Sequence, residues 1–172
     1  KGVNQKGERR RVRPSKRLKT LTESELDEMI LELKKPAYSQ WGKAACIWLI
    51  SGFNTGIRPG EWKGSMIVKI NTKNHLRVRN SKLINFETDS VDRVEKEGRN
   101  RTIYRNIPIH HLPEKEQQII SMQSQTATKM EEGGLFDGYY EGVRKSIYRA
   151  SGSVWPEESK RVSLYSCRHS YK

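Results

Sequence analysis

"MIVKINTKNHLRVR", Met66 to Arg79, is the stretch where the period of the sequence changes. "MIVKI" and "HLRVR" alternate apolar with polar residues and carry β-branched side chains, and "NTKN" (Asn71 to Asn74) between them is a turn signal. The pattern predicts two antiparallel strands joined by a tight turn. "RTIYRNIPI", Arg101 to Ile109, alternates in the same way and predicts a third strand. Between them "LINFETDSVDRVEKEGRN", Leu83 to Asn100, is charged and weakly patterned and reads as a long connection.

On both sides of this sheet the period is helical. At "LTESEL" Thr22 can cap a helix, Glu25 stands three residues on, and Leu21 and Leu26 are spaced as a hydrophobic staple. Leu26, Met29, Ile30 and Leu33 follow on one face, and Pro36 comes after the Lys34/Lys35 end. Tyr38 to about Asn54 is apolar on most faces, with Trp41, Trp48 and Leu49, and predicts a buried central helix. Pro59 and then Glu61 suggest the first turn of a new helix, with Arg58 at the junction. Beyond the sheet, Pro113 opens a helix through Ile119, Ile120 and Met122, and a polar stretch follows. "LFDGYYEGVRKSIYRA" then sets Leu135, Tyr139, Val143, Ile147 and Ala150 on one helical face. "SGSVWPEES" reads as a loop, and "RVSLYSCRHSYK" begins a last helix. Helices, a small sheet and more helices, without a βαβ alternation, define an α+β fold that is mostly helical with a three-stranded antiparallel sheet.

The chain has 172 residues, enough for one domain with a core. Lys and Arg number 33 against 20 Asp and Glu, a formal net charge of +13 at pH 7, so a polyanion is the first partner to consider. The longest wholly apolar run, "AACIWLI" from Ala44 to Ile50, is too short to span a bilayer, which favours nucleic acid over membrane. Residues 1–19 are cationic and without periodicity and read as a basic arm or linker ahead of a domain over 20–172. Cys46 and Cys167 form no CxxC pair, leaving neither a zinc-finger spacing nor a disulfide framework, and a reducing compartment is expected. His110 and His111, adjacent in a strand, would point to opposite faces, which argues against a shared metal.

On the last helix Tyr165, Arg168 and His169 stand at i, i+3 and i+4 and share one side, while Leu164, Cys167 and Tyr171 can take the core side. Arg58 projects from its junction, and Glu61 reads as a charge that holds it. These residues carry a resemblance. "TGIRPGE" (Thr55 to Glu61) resembles the first arginine box of the tyrosine recombinases, the phage integrase family. "LYSCRHS" (Leu164 to Ser170) resembles its second box, and "RNIPI" (Arg105 to Ile109) its third catalytic strand. The order of elements from about Leu18 to Tyr171 is similar to that of the family's catalytic domain.

The resemblance implies site-specific DNA recombination, the integration or excision of a mobile element such as a phage. Strand cleavage and rejoining would pass through a 3′-phosphotyrosyl link, with no metal or other cofactor. By motif match Arg58 and Arg168 would neutralise the non-bridging oxygens, and His169 would bind or orient the phosphate. Tyr165, standing where the box has its first histidine, would donate a hydrogen bond. Lys82, at the end of the second strand, matches the family's proton-donating lysine, with Lys96 in reserve. The nucleophilic tyrosine would follow some tens of residues further on, so the chain reads as a catalytic domain whose C-terminal helices are missing and which is inactive alone. Partners implied are double-stranded DNA and other protomers in a tetramer, in a cytoplasmic, nucleoid-associated setting. The alternatives are a telomere resolvase, a non-catalytic DNA-binding relative of recombinases and, last, a basic RNA-binding domain.

Overall fold

The computed structural model describes residues 20–80, 104–157 and 160–170. The expected arm over 1–19, Lys82, Lys96 and Tyr171 lie outside the described residues.

Helix α1, Glu23–Leu33, starts where its cap residues require. Thr22 Oγ1 accepts from the Glu25 N–H at 3.3 Å and Glu25 Oε2 accepts from the Thr22 N–H at 3.0 Å, satisfying two of the donors a helix start leaves open. Its apolar face buries Leu26, Met29 and Leu33, and Leu21 is buried beside them. A 3-10 turn over Pro36–Tyr38 leads into α2, Gly42–Thr55. Tyr38 therefore belongs to the turn rather than to the central helix, because Pro36 fixes a turn start and the chain tightens before Gly42.

Helix α2 runs through the core, with Ala45, Trp48 and Leu49 fully or almost fully buried. It ends at Gly56, whose left-handed φ of 60° turns the chain sharply. The helix expected at Pro59 is a single 3-10 turn, Pro59–Trp62, since the Glu61 side chain bonds back to Arg58 and Gly64, also at positive φ, ends the segment.

The sheet forms as its alternation predicts. Strands β1 (Met66–Ile70), β2 (Lys73–Arg79) and β3 (Tyr104–Pro108) lie antiparallel in the order β1-β2-β3. Asn71 and Thr72 form the two-residue turn with φ of 47° and 66°, the handedness that matches strand twist. Leu76, Val78 and Ile107 face the core. His110 and His111 follow the end of β3, so the strand argument about their faces does not apply; their rings meet edge-on at 6.0 Å.

Helix α3, Glu114–Glu132, is longer than its apolar residues suggest, because the polar stretch after Met122 contains neither Gly nor Pro before Gly133. Its inward polar side chains find partners, Tyr139 Oη donating to Gln123 Oε1 at 3.0 Å and Ser65 Oγ to Ser124 Oγ at 2.9 Å, although the buried Gln123 Nε2 is left without one. Helix α4, Phe136–Val154, buries Tyr139, Val143, Ile147 and Ala150 as expected, but Leu135 is 63% exposed and Phe136 takes the inward place. Gly134 at φ 67° reverses the chain two residues before the helix, just ahead of Leu135, which lies outward. The helix also absorbs Ser151 to Val154, read as loop, since the buried Ser151 Oγ accepts the Val162 N–H at 2.7 Å. Trp48 joins these helices, its ring 5.3 Å from that of Tyr139 and 6.2 Å from that of Phe136.

Helix α5, Leu164–Ser170, lies against α2. Small residues permit the approach: a Cβ on Gly52 would meet Cys167 Cβ at 3.2 Å, and Cys167 Sγ contacts the Leu49 carbonyl at 3.6 Å. The result is a mostly helical α+β domain in which the ends of α2 and α5 meet beside the sheet.

Candidate functional site

The left-handed Gly56 ends α2 and carries the chain toward Arg58, and its own carbonyl accepts a hydrogen bond from Arg168 at 3.0 Å. That bond joins the two arginine boxes across 112 positions of sequence. Arg168 is held there by α5, which Leu164, Ser166 and Cys167 anchor in the core.

The organising group is Glu61. Its side chain is wholly buried, and it binds two arginines. Oε2 accepts from the Arg58 N–H at 2.8 Å and Oε1 from Arg58 Nη1 at 3.1 Å. Arg105, from the core-facing side of β3, binds it bidentately, Nη1 to Oε1 at 3.1 Å and Nη2 to Oε2 at 2.7 Å. Burial by itself would raise the pKa of Glu61, but the hydrogen bonds from Arg105 and Arg58 and the Arg105 charge outweigh it and pull the value from 4.5 to about 2. The carboxylate is therefore ionised across the physiological range and acts as a brace rather than an acid.

Burial, and then the neighbouring charge of Arg58, lowers the pKa of Arg168 from its usual value, with Glu61 opposing. A guanidinium remains charged under such a shift. Among the described residues, Arg58 and Arg105 bind the one carboxylate and Arg168 stands near enough to feel its charge, so positive charge is in excess beside an open cleft of about 710 Å³. Arg105, Arg168, His169 and the Thr55–Gly56 end of α2 line this cleft. Planar, permanently charged donors at the edge of a solvent-filled cleft are suited to an oxyanion such as a phosphodiester.

Of the residues expected at a site, Arg168 and His169 lie in the cleft wall, while Arg58 is near enough to Arg168 to act on its charge but does not itself line the cleft. Tyr165 is near enough to Arg168 and Tyr140 to influence both electrostatically, yet its ring is 41% exposed and outside the cleft wall. The role expected of Lys82, or of Lys96 in its place, falls outside the described residues. Sequence reasoning missed Arg105. The signal was there, since Arg105 stands two residues before the inward Ile107, and an arginine at a core-facing strand position requires a carboxylate partner.

Among the described residues no group of three or more His, Cys, Asp or Glu could hold a metal ion, and no helix is long and apolar enough to cross a membrane. Comparison of the chain with protein-family models, with curated proteins and with solved structures finds no match. What fold and site define together is an α+β domain with a cleft lined by Arg105, Arg168 and His169 at the meeting of α2, α5 and β3.

Proposed function

We propose that this chain is the catalytic domain of a tyrosine recombinase of the phage integrase type, which breaks and rejoins duplex DNA in integration or excision of a mobile element. The observation that carries the reading is the Arg168 to Gly56 contact, by which "LYSCRHS" and "TGIRPGE" converge on one cleft. Residues so far apart in sequence gain nothing from that convergence as scattered surface charge, whereas transfer at phosphorus needs it.

In this mechanism the scissile phosphate occupies the cleft with its non-bridging oxygens toward Arg58 and Arg168. A tyrosine hydroxyl, supplied in the family downstream of the second box, attacks phosphorus and releases its proton to solvent. The new O–P bond forms in line as the bond to the 5′-oxygen breaks, and the leaving oxygen takes a proton from Lys82 or Lys96. His169 hydrogen-bonds the phosphate, and Glu61 fixes the Arg58 guanidinium through the bonds described above. Pre-set donors cost no reorganisation when charge develops. A tetramer on two DNA sites, working in the nucleoid, would complete the reaction.

The position of Tyr165 outside the cleft wall favours a second reading, a DNA-binding relative that no longer cleaves. A suicide duplex, nicked so that the short cleaved strand diffuses away, separates the two. Offered to the full reading frame that carries this sequence, it yields a covalent protein–DNA adduct if the enzyme reading holds. A mobility shift without adduct, on DNA fragments selected for binding, would establish the second reading.

A further inference from the structure

We propose that the outer face of the sheet is a second polyanion surface, a phosphate track along β2 that holds the same duplex whose scissile phosphate occupies the cleft. The inference rests on the reading that duplex DNA is the partner, but it concerns residues that the chemistry does not use.

Strand β2 alternates strictly. Leu76 and Val78 are completely buried, so Lys73, His75, Arg77 and Arg79 lie on the opposite face. Residues paired across an antiparallel ladder share a face. The neighbours of this row are therefore Met66, Val68 and Ile70 on β1, and Tyr104, Asn106 and Pro108 on β3. No acidic residue occupies any of these positions. A solvated face built only for solubility mixes signs, and among the described residues this one does not.

The spacing suits the ligand. Alternate residues on a strand stand about 7 Å apart, the scale on which successive phosphates follow one another along a nucleic-acid strand. Arg77 Nε donates to Asn106 Oδ1 at 3.0 Å, which orients the guanidinium while using one of its five donors. Lys73 is exposed beside the hairpin turn. Tyr104 and Met66, 51% and 52% exposed, flank the row.

Geometry joins this face to the cleft. β3 is an edge strand, and Asn106 and Pro108, members of the outer face, also line the cleft. A duplex held at Arg168 therefore meets the track by passing over that edge. Among the described residues Tyr104 is the one Phe, Tyr or Trp on the face, whereas platforms for single strands stack successive bases on several such rings, so duplex is the occupant the face fits.

The test measures binding of the 172-residue chain to random-sequence duplex DNA across a salt series, with Lys73→Gln, Arg77→Gln, their double variant and Arg168→Gln. Each face variant should lower the slope of log affinity against log salt by about 1, and the double variant should weaken binding about tenfold or more near 0.1 M salt. Lys73, exposed and away from the core, keeps the test decisive if Arg77→Gln lowers the melting temperature. Wild-type affinity and slope in Lys73→Gln and the double variant would overturn the proposal. If Arg168→Gln still weakened binding, the functional reading would survive that outcome. Loss through the face variants with none through Arg168→Gln would uphold the track and count against the cleft. Failure of the parent chain to bind duplex, or binding to single strands alone, would overturn both.

Discussion

Replacing Glu61 by glutamine keeps the shape of the side chain and removes the charge that two arginines bind. The carboxyl titrates near 4.5 when unperturbed and at about 2 in the folded chain. Each unit of difference is worth about 1.4 kcal/mol, so ionised Glu61 contributes about 3 kcal/mol at neutral pH. Because the folded-state value lies below the unfolded one, that contribution is fully present above about pH 5 and is lost as pH falls through 4.5 toward 2. At pH 3 only about half of it remains. Urea unfolding of the parent chain and Glu61→Gln at pH 7 and pH 3 reads both values. The expected destabilisation is about 3 kcal/mol at pH 7, a melting temperature lower by about 6–12 °C for a chain of this size, and about half that penalty at pH 3. A cost below about 1 kcal/mol at pH 7, or one that does not change with pH, would refute the brace.

Further expectations concern packing, chemistry and thiol reactivity. A Cβ at Gly142 would lie 2.4–2.8 Å from the Trp41 ring atoms, so Gly142→Ala should cost about 1–3 kcal/mol by chemical denaturation. Gly138, on the same helix with nothing within 4 Å of a Cβ, should gain about 0.5–1 kcal/mol as alanine. Arg168→Ala in the full reading frame should reduce covalent adduct formation by about 100-fold or more, while duplex affinity falls measurably but by less than about tenfold; an unfolded Arg168→Ala protein would instead show a structural role. Burial raises the Cys167 thiol to about 12, so thiol titration of native protein at pH 8 should modify the half-buried Cys46 first and reach Cys167 only in denaturant.

Local signals made much of the fold legible. Thr22 with Glu25, the "NTKN" turn and the alternation in "HLRVR" each act within a few residues, and the structure follows them. Features set by distant partners were not legible. The polar half of α3 is helical because Gln123 and Ser124 find Tyr139 and Ser65, which a window on the sequence does not contain. Phe136 replaces Leu135 in the core because the Gly134 reversal sets the helix phase. At the site, the Arg58 to Glu61 brace is three residues long and was read from the spacing, whereas Arg105 reaches Glu61 across 44 positions. Tyr165 shows the opposite failure: helical spacing put it with Arg168 and His169, but in the structure it stays outside the cleft wall that they line.

Convergence of Arg58 and Arg168 on one phosphate is the central claim, and arginine Nε–Hε correlation spectra of the 172-residue chain during titration with a short DNA duplex test it most directly. Single Arg→Lys variants assign the resonances. The account predicts that Arg58 and Arg168 shift together, on the isotherm that reports DNA binding, and that Arg168→Ala abolishes the Arg58 shift while Arg144, ion-paired with Glu141 on exposed α4, stays unchanged. Saturable DNA binding in which other arginines shift and these two do not would contradict it.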